Sequence, residues 1–186
     1  LVLKRKIGGH ASAWEPWQVI TSSGEFNKVA ANNTQGFPVA ILGGSALYVT
    51  WASDLAGTNW VAPQNFSQFG QPGGLPSGSC ILDFELGRTI DDRLDAFVLL
   101  NEGCNAATPA IWRRTKTTNI SGSAWGDWFR YRSLTDSFSA PGVAMGIPNP
   151  QLAGATGMGL LPTNAMRGDG LIIISRGNLY ASFWGS

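Results

Sequence analysis

Short apolar segments recur along this chain in pairs, with a turn between the two members of each pair. Residues 37–42 are followed by residues 46–52, and residues 170–175 are followed by residues 178–184. The turns, GGS and RGN, contain glycine, and this pattern is typical of β-hairpins. The segments alternate poorly between apolar and polar positions, as expected of strands that are buried on both faces. The pattern therefore predicts hairpins and no helix of ordinary length.

A tryptophan follows the second apolar segment at a nearly constant distance, which indicates an internal repeat. Thirteen positions separate Leu47 from Trp60, and fourteen separate Ile111 from Trp125. In the N-terminal segment LVLKRK, Leu1 precedes Trp14 by thirteen positions. We expect each repeat unit to have four strands, with the tryptophan opening the fourth strand and packing in the core.

The repeat divides the chain into two complete units and two partial ones. The predicted units span residues 1–20, 21–70, 76–135 and 138–186, with two, four, four and three strands. Leu47, Ile111 and Leu179 are expected at equivalent places on third strands. In the last unit, residues 142–147 are predicted to form the first strand. Residues 148–167, rich in glycine, proline and methionine, are predicted to be an ordered insertion loop.

Antiparallel four-stranded units of this size are typical of β-propeller blades. The sequence therefore predicts an all-β, propeller-type array of four-stranded antiparallel blades that forms a partial ring. The alternative is a β-sandwich or jelly roll, which the composition also fits. Because both ends interrupt a unit and exposed sheet edges are a liability, we expect other chains or further segments to complete the array.

Two stretches resemble the repeats of known propellers. FPVAILGGSALYVTWASDLAGTNWVAP resembles the repeats of secreted sialidase-like and hyalin-like propellers. RLDAFVLL, AIWRRTK and WGDW together resemble the repeat of seven-bladed lectins that bind fucose and related sugars. SDLAGTNW resembles the Asp-box of sialidase blades, although Asp54 stands one position too far from Trp60. The resemblance implies a propeller fold, a carbohydrate ligand and a structural role for Asp54 as the cap of a turn.

Composition narrows the classes of partner. Charged residues make up 13% of the 186 residues and the net charge is +1. We therefore expect no strong positive electrostatic field of the kind that attracts nucleic acid. No apolar run reaches the roughly 18 residues that span a bilayer. Two cysteines and one histidine fall short of the usual four zinc ligands, and neither a metal nor another cofactor is predicted.

The cysteines and three glycosylation sequons point to an extracellular setting. Cys80 and Cys104 are predicted to form a disulfide, because neighbouring strands could bring them together. Two free, buried thiols are the alternative. Asn32, Asn65 and Asn119 each begin an Asn-x-Ser/Thr sequon. Disulfides and N-linked glycans belong to secreted or surface proteins, and this is the predicted localisation.

An aromatic and basic set on the third and fourth strands is the candidate ligand site. Trp17 and Trp128 each follow a repeated tryptophan by three residues, so we expect them on the opposite face, exposed as a platform for a sugar ring. Arginine can bind the sugar hydroxyls beside them. The candidate contacts are Trp17, Trp112, Arg114, Trp128 and Arg130. The alternative is a solvated face on which arginine stacks on tryptophan for packing.

No catalytic set is apparent in the sequence. A sialidase-like enzyme needs an arginine cluster, a tyrosine nucleophile with a glutamate partner, and an acid–base aspartate. The first hypothesis is therefore a non-enzymatic carbohydrate-binding module with a glycan ligand. The second is a structural or assembly module of an extracellular or surface particle, and a sialidase-like glycosidase is the least favoured.

Overall fold

The computed structural model describes residues 2–3, 18–19, 26–31, 38–54, 58–88, 94–117, 124–133, 154–164, 168–175 and 178–184. These ranges contain thirteen strands, and every strand pairing in them is antiparallel. They also contain one 3₁₀ turn, Glu102–Cys104, and no α-helix. The all-β class predicted from the sequence is confirmed.

The strands form four sheets in chain order. The N-terminal ribbon pairs β1 (Val2–Leu3) with β2 (Gln18–Val19). The first sheet contains β3 (Phe26–Ala31), β4 (Val39–Gly43), β5 (Ala46–Thr50) and β6 (Gln64–Asn65). The second sheet contains β7 (Cys80–Arg88), β8 (Leu94–Asn101), β9 (Pro109–Thr115) and β10 (Phe129–Ser133), and the third contains β11 (Ala155–Asn164), β12 (Gly168–Ser175) and β13 (Asn178–Trp184). The strand numbers of two, four, four and three agree with the repeat.

The register confirms the repeat alignment. In each of the three sheets, the residue predicted to be equivalent on the third strand lies opposite an apolar residue of the second strand. The pairs are Leu42–Leu47, Leu99–Ile111 and Ile174–Leu179. The fourth strands β2, β6 and β10 each begin four residues after the repeated tryptophans Trp14, Trp60 and Trp125. The ribbon therefore corresponds to the third and fourth strands of a sheet.

The second sheet is the middle layer of three. Every residue of β8 from Leu94 to Leu100 is buried. Because successive side chains of a strand point to opposite faces, Ala96 and Val98 pack towards the first sheet, whereas Phe97 and Leu99 pack towards the third. Burial on both faces accounts for the poor alternation in the sequence.

Two apolar cores hold the three sheets together. The core between the first and second sheets contains Ala30, Ala40, Leu47, Val49, Phe66, Leu75, Phe84, Leu86, Leu94, Ala96, Val98, Leu100, Ala110 and Trp128. The core between the second and third sheets contains Phe97, Leu99, Ile111, Ala155, Met158 and Ile173. Removal of this apolar surface from water is the main favourable contribution to such packing.

The first strands of neighbouring sheets lie side by side, since β3 contacts β7 and β7 contacts β11. Asp83 of β7 joins all three sheets. Its carboxylate accepts a hydrogen bond from the backbone N–H of Met158 in β11 at 2.7 Å, and it forms an ion pair with Lys28 of β3. The sheets are therefore joined by polar contacts along their first strands as well as by their apolar faces.

The first strand of the third sheet is not where the sequence predicted it. Residues 142–147 lie outside the described residues, and β11 (Ala155–Asn164) takes the first-strand position. The prediction of an insertion loop at residues 148–167 is wrong for this strand. Glycine and proline weaken the local strand signal, but Ala155 and Met158 are buried against the second sheet. Tertiary packing thus stabilises a strand that local propensity does not favour.

The predicted disulfide between Cys80 and Cys104 is confirmed, with the two Cα atoms 4.7 Å apart. It links the start of β7 to the 3₁₀ turn that follows β8. The bridge therefore ties the loop between β8 and β9 to the edge strand of the same sheet.

Replacing both cysteines, in Cys80→Ala/Cys104→Ala, is expected to lower the free energy of unfolding by about 3 kcal/mol. The bridge closes a loop with a sequence separation of 24, and a cross-link of this span restricts the unfolded chain by about that amount. Urea unfolding of the wild type and the double variant, followed by circular dichroism, measures the difference. Equal unfolding free energies, or a titration that finds two free thiols in the native protein, would contradict the bridge.

Candidate functional site

Trp128 lies where the first and second sheets meet, in a contact with Phe66 and Arg114 that we call the joint. Its side chain is only 4% exposed. The indole Nε1–H donates to the backbone carbonyl of Phe66 at 2.8 Å, and its ring meets the Phe66 ring edge-on with centroids 5.2 Å apart. The prediction that Trp128 is an exposed platform is therefore wrong. The chain that follows β6 folds over this face of the second sheet and covers the tryptophan.

A glycine allows that close approach. The backbone N–H of Trp128 donates to the carbonyl of Gly73 at 2.8 Å. A Cβ at Gly73 would lie 2.2 Å from Oδ1 of Asp127, and its φ of 71° is in the left-handed region that favours glycine. The WGDW segment of the second sheet thus receives the connection that leaves the first sheet.

Arg114 belongs to the same joint and is buried. Its guanidinium donates to the carbonyl oxygens of Phe66, at 3.1 Å, and of Gly126. It also lies over the rings of Phe66 and Trp128, 5.0 and 5.9 Å from their centroids. Desolvation by burial lowers the pKa of Arg114, while nearby Asp127 acts in the opposite direction. Arg114 thus stacks on a tryptophan for packing, as in the alternative considered for this set, but it does so in a buried position and not on a solvated face.

The repeated tryptophans occupy corresponding places. Isolated antiparallel bridges join Ala52 to Trp60 in the first sheet and Lys116 to Trp125 in the second. Trp125 packs against the core between these sheets, and its ring meets Phe66 edge-on with centroids 4.8 Å apart. The packing role predicted for the repeated tryptophans is confirmed for Trp125.

Trp112 and Arg130 form a second, partly exposed group with Glu102, which we call the rim cluster. The indole Nε1–H of Trp112 donates to Oε1 of Glu102 at 3.1 Å. The guanidinium of Arg130 donates to Oε2 of the same carboxylate at 3.0 Å. The side chain of Arg130 remains 47% exposed and that of Glu102 25% exposed. The four candidate residues that the structure describes therefore do not form one cluster: Arg114 and Trp128 are buried, and Trp112 and Arg130 lie at the rim.

Local structure places all three members of the rim cluster. Trp112 and Arg130 are direct cross-strand partners of β9 and β10, so their side chains lie on one face of the sheet. Glu102 begins the 3₁₀ turn between β8 and β9. Its backbone N–H donates to the carbonyl of Thr108 at 3.0 Å, and the Thr108 hydroxyl donates to the Glu102 carbonyl at 2.6 Å. The disulfide at Cys104 anchors the far end of the turn.

Sequence reasoning missed Glu102. It lies in the loop between two strands that pair in the hairpin, two residues before Cys104. A carboxylate inside a disulfide-anchored loop that leads to the strand with Trp112 is the signal that could have indicated it. The spacing of the strands does not identify Glu102 as the hydrogen-bond acceptor of the Trp112 indole, because the conformation of the loop determines which group reaches the indole.

Two further ion pairs involve residues of the second sheet. Oδ2 of Asp95 accepts from Nε of Arg113 at 3.0 Å on the face towards the third sheet, where the guanidinium lies over the ring of Phe97. Glu85 lies beside Lys28, and desolvation by burial raises its pKa while Lys28 lowers it.

Within the described ranges, no three Cys, His, Asp or Glu residues come together as metal ligands. Nor do these ranges contain a helix long and apolar enough to cross a membrane.

Asp54 organises the turn that resembles an Asp-box. Its carboxylate accepts from the backbone N–H groups of Thr58 and Asn59 at 2.8 and 2.9 Å, and from both of their side chains at 2.6 Å. The hydrogen bonds from Thr58 and Asn59 lower the pKa of Asp54 from 3.8 to about 2. The structural role expected for Asp54 as a turn cap is confirmed.

The remaining predicted residues are Trp17, Asn32 and Asn119, which lie outside the described residues, and Asn65. Asn65 is exposed on β6. Its Oδ1 accepts from the Ser67 hydroxyl and from the backbone N–H of Gln68, both at 3.0 Å. Glycosylation at these sequons and a ligand contact at Trp17 stay predictions.

Trp128→Phe is expected to lower the free energy of unfolding by about 1 kcal/mol, because it removes one buried hydrogen bond but keeps an aromatic ring. Trp128→Ala should lower the free energy of unfolding by about 3–5 kcal/mol, since it also leaves a cavity where the indole ring packs. Urea unfolding of the two variants separates the contributions. A value for Trp128→Ala within error of wild type would show that Trp128 does not hold the sheets together.

Acidification should selectively remove the contribution of Asp54 to stability. Because the pKa of Asp54 is lowered in the folded protein from 3.8 to about 2, its stabilisation is complete above the unfolded value and is lost as pH falls through the folded value. The difference in melting temperature between wild type and Asp54→Asn should therefore shrink as the pH falls from about 4 to about 2. A difference that is constant between pH 6 and pH 2 would contradict this role.

Comparison with known proteins assigns no family to this chain. No family model matches the sequence, and no match is found among curated proteins or solved structures. The functional conclusion therefore depends on the geometry of the described residues.

Proposed function

We propose that this protein is a non-enzymatic carbohydrate-binding module and that the rim cluster of Glu102, Trp112 and Arg130 is its contact with a glycan. The observation that carries the proposal is the pair of hydrogen bonds by which one carboxylate holds an indole and a guanidinium together, at 3.1 and 3.0 Å. Trp112 and Arg130 come from the candidate set, and Glu102 is the addition that the fold supplies.

The chemistry of the cluster suits a hydroxylated, weakly charged ligand. An indole presents an apolar surface that can stack on the C–H face of a sugar ring. The carboxylate of Glu102 can accept hydrogen bonds from sugar hydroxyls, and the guanidinium of Arg130 can donate to their oxygens. Each carboxylate oxygen already accepts one protein hydrogen bond, so the groups are oriented before a ligand arrives. Orientation of this kind lowers the entropic cost of binding.

We also propose that the sheets belong to a propeller-type array. Three sheets stack face to face with corresponding registers, and their first strands lie side by side. A radial arrangement of meander sheets with first strands nearest the axis has these features. The confirmed disulfide supports an extracellular or surface location, because such bridges persist in oxidising compartments.

A structural or assembly role is the second candidate. Several large apolar side chains of the described residues are exposed, namely Val19, Val29, Leu82, Phe129 and Ile174. Exposed apolar groups of this kind mark contacts with other proteins when they form a patch. A glycosidase is not supported by Tyr131, since its ring packs edge-on against Phe97 with centroids 6.0 Å apart.

A glycan array on the wild-type protein tests the first proposal, followed by titration of the best ligand into variants. Trp112→Ala and Arg130→Met are expected to weaken binding by about tenfold to a hundredfold, since each removes a contact worth roughly 1.5–3 kcal/mol. Glu102→Gln should weaken binding as well, because it removes the charge that orients both partners.

Phe129→Ala is the matched control. Phe129 precedes Arg130 on β10 and is exposed, but its cross-strand partner is Arg113 rather than Trp112. Its side chain therefore points to the opposite face, and affinity should remain within about twofold of wild type. No glycan binding by the folded wild type, or equal losses in the control and the rim variants, would contradict the proposed site and favour the structural role.

A further inference from the structure

The face of the third sheet that points away from the second sheet carries two isoleucines on β12. Ile173 is buried in the core with the second sheet, so its neighbours Ile172 and Ile174 point to the opposite face. Ile174 is 47% exposed. Gly159, the strand partner of Ile172, also has space around it, because a Cβ there would meet no atom within 4 Å.

The repeat shows what this face corresponds to. In the first sheet Leu47 is buried against the second sheet, and in the second sheet Leu99 and Ile111 are buried against the third. Ile174 holds the position of Leu42 and Leu99 in the equivalent cross-strand pair. We call the face that packs on the following sheet the leading face and the opposite one the trailing face. The leading faces of the first two sheets are covered, whereas that of the third sheet exposes Ile174.

The N-terminal ribbon exposes one described side chain, that of Val19, on its trailing face. Val19 pairs with Val2 at the register position that Asn65 and Tyr48 occupy in the first sheet. Because the adjacent Leu47 and Val49 are buried on the leading face, this position lies on the trailing face. The Val19 side chain is 63% exposed.

We propose that the leading face of the third sheet, at Ile172 and Ile174, is the docking surface for the N-terminal ribbon of a second copy of this chain, at Val19. Within the chain, a leading face packs on the trailing face of the following sheet at two successive interfaces. Contact between copies continues that series with the same pair of surfaces, head to tail. Head-to-tail contacts use two different patches, so they build rings or filaments rather than isologous pairs. This inference is independent of the proposed glycan site.

The test is sedimentation velocity on the full chain, and the wild type is expected to exceed the monomer mass of 19.8 kDa. Ile174→Asp and Val19→Asp should each weaken self-association by tenfold or more, because each would bury an unpaired carboxylate in the contact. An equimolar mixture of the two variants should recover a species of two copies, since one intact Ile174 can still meet one intact Val19. Leu82→Asp, on β7, is the matched control and should associate like the wild type.

Each of the other outcomes overturns the proposal. A wild type that stays monomeric at about 100 μM would overturn the proposal, because the dissociation constant of the contact would then lie far above that concentration. Association that survives Val19→Asp, or variants that do not recover on mixing, would exclude the head-to-tail arrangement. Circular dichroism checks that each variant is folded, and the milder Ile174→Ser or Val19→Ser replaces the corresponding aspartate variant if that one is not folded. Loss of association in Leu82→Asp would place the contact elsewhere.

Discussion

The two-sided burial of β8 is the constraint on which the rest of this structure depends. Residues from Leu94 to Leu100 are all buried, and alternate side chains serve two different apolar cores. A shift of one residue would exchange the two sets of side chains. It would also move Asp95 from the Arg113 guanidinium, which binds it at 3.0 Å, into the core with the first sheet. Burial of an unpaired carboxylate is costly, so both cores together hold β8 in one register.

The joint between the first and second sheets explains why an aromatic and basic sequence need not be a surface site. The carbonyl of Phe66 accepts hydrogen bonds from both Trp128 and Arg114. The guanidinium is further accommodated by the Gly126 carbonyl and by two ring faces. Buried polar groups are tolerated when such partners satisfy them. The residues that suggest ligand binding thus connect one sheet to the next.

The rim cluster, by contrast, depends on a loop. The disulfide at Cys104 and the hydrogen bonds between Thr108 and the backbone of Glu102 hold the turn that presents the carboxylate. Trp112 and Arg130 come from regular strands, where the register alone makes them neighbours. The site that we propose therefore combines a rigid sheet surface with a covalently anchored loop, which is a common way to position binding groups.

The sequence by itself determined what depends on local order along the chain. The hairpin pairing of β4 with β5, the positions of Trp60 and Trp125, the equivalence of Leu47 with Ile111 and the cap at Asp54 are short-range features, and the described residues show them. Only the tertiary structure decided the location of β11, the burial of Trp128 and the partner of Glu102. The physical reason is that alternation tells which side chains share a face, whereas whether that face is covered depends on segments distant in sequence.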